Sequence, residues 1–296
     1  MTGRRAAGEP EVQRPAHGIS IGVDLAAAPV NTAAVELAWE GDRATIVDVW
    51  GEGRECVEDA MLISLLDRSD AKIGVDCPFG WPQEFVELVG DQGSGEPGGS
   101  EVREASYATP DERQRLVYRA TDLDVIEVTK RHGSSADPAR PAVRPLSVSA
   151  DRIGHVAFRF AGLRSRLSVT SSSPRDGSGA LVEVYPAAAL ALWNAPSYRK
   201  YKGAGSEAQR AKIVAALCSG VPDIMSSCAN IDEHRSALVA SNHVLDAFIC
   251  ALVAHDADLR GVQVPRRTVT RPVKRAGSTC RCARREREWG VVGGAA

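Results

Sequence analysis

The tetrapeptide Ile-Gly-Val-Asp occurs twice in this chain, at Ile21–Asp24 and again at Ile73–Asp76. Each copy reads as a short apolar strand that stops on an aspartate. Alternation along a strand puts Ile21 and Val23 on one face and Gly22 and Asp24 on the other. The second copy divides in the same way, Ile73 and Val75 against Gly74 and Asp76. If the two strands are parallel neighbours, both carboxylates emerge at one carboxyl edge, where open α/β sheets place their ligands. The glycines would keep that face clear for something close. Two carboxylates a few ångströms apart repel, and one holds a proton unless a cation separates them. A hard divalent ion with oxygen ligands is the natural resident. The plainer alternative is a pair of strand-end aspartates capping the turns that follow.

A third acid lies near the far end of the chain. Between Val244 and Ala254 the only charged residue is Asp246. A carboxylate on so apolar a helix faces solvent, caps the helix or meets a cation, because burying it unpaired is costly. Ser241 competes for the cap, and a helix begun there places Asp246 inside it. His243 then sits in the first turn, three residues before Asp246 and on the same face. The helix dipole disfavours an imidazolium at that end, and a neutral ring can ligate metal or accept a proton. The other reading is a surface histidine on a helix that begins earlier, near Asp232.

The elements that must hold these residues follow from pattern. A strand through Ile19–Leu25 leads to "AAVELAWE" and, across the turn at Gly41–Asp42, to "ATIVDVW", a hairpin signal. Glu55–Leu66 carries apolar residues at a helical period. The second aspartate-ended strand comes next, so the hairpin and helix form a crossover between parallel strands. Further helices are expected at "QEFVELVG", Ser147–Leu167, Ser206–Leu217 and Ser241–Ala254, with "PDERQRLVYRATD" and a loop leading into the second of them and a strand at "ALVEVYP". Gly/Ser-rich stretches mark flexible insertions at about 91–110, 133–145 and 168–179.

Composition bounds the alternatives. The chain has 296 residues, 44% hydrophobic and 25% charged, the balance of a soluble globular protein. No apolar run reaches signal-peptide or membrane-span length, which points to the cytoplasm and to no membrane partner. Seven irregularly spaced cysteines do not make a disulfide framework, and Cys280 and Cys282 lack a second pair for zinc. Net charge is −2, unevenly spread: Leu259–Gly290 carries ten Lys/Arg against Glu286 and Glu288. This leaves about −10 on the rest. The expected organisation is a disordered segment 1–18, a domain at 19–258, and a basic, partly disordered tail at 259–296. The tail suits an anionic partner, or is a solvated segment.

Six segments in order, "GVDLA", "IGVDCPFGWP", "YRATD", "VEVYPAAAL", "YKG" and "VLDAFICALVA", resemble domain-of-unknown-function family 429 (DUF429). That family is described as predicted nucleases with an RNase H-like fold, and the resemblance covers roughly Ile19–Ala254. It implies an α/β fold with a mixed five-stranded central sheet, order 3-2-1-4-5, flanked by helices. The layout is similar to the RuvC branch, with acids on the first and fourth strands and an H-x-x-D on the final helix. Carried over, these are Asp24, Asp76, and His243 with Asp246. The implied activity is hydrolysis of phosphodiester bonds in DNA or RNA by two Mg²⁺ or Mn²⁺ ions on Asp24, Asp76 and Asp246. Glu183 is a further candidate metal ligand. Arg119 and Lys202 are candidate phosphate contacts, or fold-supporting ion pairs. Trp81, Tyr185 and Tyr201 either stack on bases or pack.

Two other classes compete. An actin-like ATPase or kinase shares the first strand motif, but no Gly-rich phosphate loop follows a strand here. A non-catalytic nucleic-acid-binding or scaffold protein of the same fold would not need all three acids.

Overall fold

The computed structural model describes residues 17–53, 55–93, 109–136, 141–168, 174–196, 198–220 and 223–261. The first sixteen residues and nearly all of the basic tail lie outside them, as does most of the 91–110 insertion. Strand β1 (Ile19–Asp24) is followed by the hairpin β2 (Ala33–Glu40) and β3 (Arg43–Trp50), then helix α1 (Asp59–Leu66) and β4 (Ala71–Asp76). Gly41 turns the hairpin at φ +65°, a conformation that favours glycine. After β4 come α2 (Gln83–Gly93), α3 (Pro110–Val117), α4 (Ala120–Ala136) and α5 (Ile153–Arg164). The chain ends with β5 (Leu181–Glu183), α6 (Pro186–Leu192), α7 (Glu207–Leu217), β6 (Ser227–Cys228), α8 (Ile231–Ala240) and α9 (Asn242–Arg260).

The strands form one mixed sheet in the order β5-β4-β1-β2-β3-β6. Strand β1 is antiparallel to β2 and parallel to β4, as the crossover requires. Five of the strands keep the expected neighbours, and the sixth corrects the expected count. Two-residue β6 adds parallel to β3 at the outer edge. It is too short to leave a period in the sequence.

The two faces of the sheet divide as the alternation in β1 and β4 dictates. Ile21, Val23, Ile73 and Val75 pack with Leu62, Leu65 and Leu66 of α1 and Phe160 and Leu163 of α5. On the opposite face lies α9, buried from Val244 to Ala257. Its backbone sits directly on the two glycines. A Cβ at Gly22 would overlap the Ala247 carbonyl oxygen, and one at Gly74 the Cys250 carbonyl oxygen. Small side chains at Ala247 and Ala251 let the helix come that close.

Some boundaries depart from the sequence pattern. Helix α5 begins at Ile153 rather than Ser147, because the Ser147 amide donates to Asp151 (2.8 Å) and makes a turn first. Helix α4 runs on to Ala136, past the expected loop start. Helix α3 starts on a capping box, Thr109 with Glu112, and Pro110 in its first turn. No helix among the described residues is long and apolar enough to cross a membrane.

At the other end of α9, His255 is buried (1% exposed) and stacks flat on Trp39 with ring centroids 3.5 Å apart. Its Nε2 has no hydrogen-bond partner. Burial lowers its pKa from 6.5 to about 4, against the pull of Asp258.

Two outcomes follow from this packing. Gly22→Ala should cost about 3 kcal/mol, since the methyl meets helix backbone and no rotamer relieves it; a shift in the urea midpoint reads the loss. An unfolded His255 takes up a proton near pH 6.5 and the folded one only near 4. Its contribution is therefore complete above pH 6.5 and is lost as pH falls towards 4, on the order of 3 kcal/mol in all. His255→Phe should flatten that part of the stability profile, and an unchanged slope would assign the acid sensitivity elsewhere.

Candidate metal centre

Strands β1 and β4 pair in register, Gly22 beside Gly74 and Asp24 beside Asp76. Helix α9 supplies the third acid. Helix α8 ends at Ala240, Ser241 is extended (φ −116°, ψ 123°), and α9 begins at Asn242. The Ser241 hydroxyl accepts from the Val244 amide at 3.3 Å, so Ser241 is the cap and Asp246 lies inside the helix. Asp246 is fully buried. Asp24, Asp76 and Asp246 each offer one carboxylate oxygen, and these lie within 4.8 Å of one another.

Three neighbours engage this group. His243 Nδ1 lies 2.6 Å from Asp24 Oδ2, and the ring is partly exposed. The Tyr201 hydroxyl donates to Asp246 Oδ1 at 2.6 Å. Lys202 Nζ sits 2.8 Å from Asp246 Oδ2. That last contact is an ion pair without hydrogen-bond alignment, and Oδ2 otherwise has no partner.

Crowding shows in the acidities. Although Asp76 is partly exposed as a residue, burial of its carboxyl raises its pKa well above the carboxylate range. Lys202 opposes this rise, while Asp24 and Asp246 add to it. Asp246 is raised for the same first reason, with Lys202 again opposing. The pKa of His243 moves opposite to the lowering expected at a helix start. Its hydrogen bond to Asp24 raises its pKa, outweighing burial. A carboxylate at 2.6 Å is stronger than the partial charge of a helix end.

The other candidates divide. Lys202 is at the centre, with its side chain half exposed. Arg119 takes the fold-supporting ion pair that is its alternative reading, and Glu183 is its partner rather than a member of the acid trio. Arg119 is buried and donates to both oxygens of Glu183 (2.7 and 2.9 Å) and both of Asp122 (2.7 and 3.1 Å). Glu183 Oε2 also accepts from the Phe79 amide at 2.8 Å. Four of the five guanidinium N–H groups are thus engaged within the protein. Glu183 ties β5 to the start of α4 and to the loop after Asp76, and stands outside the acid trio. Trp81 packs beside Phe158, and the Tyr185 hydroxyl donates to the Arg144 carbonyl.

Tyr201 is expected from its sequence context to stack or pack, with no role at the acids, and Arg210 carries no expectation. Arg210 is 2% exposed and donates to four carbonyls, those of Tyr201, Gly203, Val239 and Ala240. Its signal was present: with Ile213, Val214 and Leu217 it shares a buried stripe of α7, where a guanidinium needs several acceptors.

Three oxygen donors from a buried, mutually repelling set suit a hard divalent cation. Residues 22–268 match the family described as protein of unknown function (DUF429). The chain belongs to that family. No curated protein and no solved structure matches it. The DUF429 match spans all four of Asp24, Asp76, His243 and Asp246.

Replacing Glu183 by Gln removes a charge from the buried Arg119 network and should cost about 2 kcal/mol. Chemical denaturation measures it. A stability equal to wild type would show that the pair supports nothing.

Proposed function

We propose that this DUF429 protein is a metal-dependent nuclease with an RNase H-like fold, hydrolysing phosphodiester bonds in DNA or RNA. The observation that carries the reading is the convergence of Asp24, Asp76 and Asp246, from two strands and a distant helix, within 4.8 Å. The five-strand order and the acid positions support the fold assignment, and the basic tail of the sequence supports an anionic polymer as partner.

The three aspartates would hold Mg²⁺ or Mn²⁺, and the unaligned, buried Asp246 Oδ2 fits that use. A bound divalent ion supplies Lewis-acid activation of water and of the scissile phosphate. The remaining work falls to the chain. Asp24 fixes the His243 ring through Nδ1, which leaves Nε2 towards solvent. In that orientation Nε2 accepts the proton of the attacking water, and Asp24 stabilises the imidazolium that forms. Lys202, half exposed beside Asp246, meets the negative phosphate oxygens. Tyr201 holds Asp246 in place from the buried side.

The test is thermal melting with Mn²⁺ or Mg²⁺, followed by cleavage of labelled DNA and RNA. Binding to the folded state alone adds about 2.7 kcal/mol at 100-fold over Kd. Wild type should be stabilised and Asp24→Asn should not; an equal rise in both would sink the site. His243→Ala should keep much of the metal response and lose at least about 100-fold in cleavage rate, the usual contribution of a general base. A variant that cleaves at the wild-type rate would remove His243 from the chemistry.

A further inference from the structure

The sequence suggests two metal ions, yet the neighbours of the acids argue for a different inventory of charge. Three carboxylates carry three negative charges. Lys202 already delivers one positive charge to them, 2.8 Å from Asp246 Oδ2. One divalent ion would complete neutrality, and a second would leave the site with a surplus of two positive charges before any substrate arrives.

The oxygens tell the same story. Asp246 Oδ1 is taken by the Tyr201 hydroxyl, and Asp24 Oδ2 by His243. Paired metal ions sit roughly 3.5–4 Å apart and share a bridging carboxylate. What remains here is Asp24 Oδ1, the Asp76 carboxylate and the unaligned side of Asp246 Oδ2. That set would serve one hard divalent ion, which would complete its oxygen ligands with water.

The backbone that carries Lys202 is also held in place. Arg210 donates to the Tyr201 carbonyl (2.8 Å) and the Gly203 carbonyl (3.1 Å), on either side of Lys202. The same guanidinium binds the Val239 and Ala240 carbonyls at the end of α8, just before the Ser241 cap. Gly203 takes φ +94° to complete the turn. One buried arginine therefore ties the Tyr201–Gly203 turn to the start of the helix that bears Asp246.

We propose that Lys202 is the second cation of this centre, so that each chain binds a single divalent ion and the Lys202 ammonium stands where a second ion would. This inference rests on the metal-binding reading above. Lys202 positions Asp246 and presents a fixed positive charge to a phosphate, and Arg210 is the positioning residue that keeps it there.

Counting bound Mn²⁺ decides the matter without reference to activity. The full chain is titrated with Mn²⁺, free ion being read by electron paramagnetic resonance and affinity by calorimetry. Wild type should saturate at one ion per chain. Lys202→Met, which keeps the length and removes the charge, should take up two ions and bind the first at least tenfold more tightly. Lys202→Arg should stay at one ion. Two ions in wild type would overturn the inference and leave the metal site standing. No binding at millimolar Mn²⁺ would instead overturn the metal reading itself. One ion in wild type with no change in count or affinity in Lys202→Met would also overturn the role of Lys202. Should Lys202→Met fail to fold by circular dichroism, the wild-type count and Lys202→Arg decide alone.

Discussion

The contact between the α9 backbone and the bare glycine faces of β1 and β4 fixes the geometry of everything at the carboxyl edge. Ordinary helix-on-sheet packing is separated by side chains, at about 10 Å. Here Gly22 and Gly74 contribute none, and the Ala247 and Cys250 carbonyls occupy the space. Only that approach brings a helix carboxylate level with two strand carboxylates. The strand pattern thus has two jobs within four residues, a glycine to admit the helix and an aspartate to meet it.

Such closeness has an electrostatic consequence that the surrounding residues offset. Burial raises Asp76 and Asp246, and each added negative charge raises them further. The structure answers with an ammonium at Asp246, a phenol on the same carboxylate and an imidazole at Asp24. None of these three comes from the sheet. Lys202 and Tyr201 arrive on a turn clamped by Arg210, and His243 arrives on the first turn of α9. A second buried network, Glu183 with Arg119 and Asp122, keeps its charges to itself. The separation of the two sets explains why Glu183, close in sequence pattern to the acids, is not one of them.

Much of this was legible from residue order because strand and helix periods are local. The repeated Ile-Gly-Val-Asp predicted both faces of β1 and β4, and the lone charge on "VLDAFICALVA" left Asp246 facing solvent, capping or meeting a cation, of which the Ser241 cap and its burial remove the first two. What escaped was non-local or too short. Strand β6 has two residues, and α6, "PAAALAL", is apolar all round and so shows no stripe. The protonation tendency of His243 depended on a carboxylate 219 positions away, which no helix-end argument contains. Arg119 has Asp122 three residues away, but its second acid partner, Glu183, is brought to it only by the fold.

The elements that make the centre are also the first strand and the last helix of the described chain. Asp24 and Asp246 meet only after every intervening segment has been laid down, and closing so long a loop is an intrinsically slow step. During synthesis the glycine faces of β1 and β4 therefore wait uncovered while the ribosome works through α1 to α8. A product terminated before α9 would lack both its main core helix and an acid of the trio. Synthesis of α9 is in this sense the step that assembles the trio.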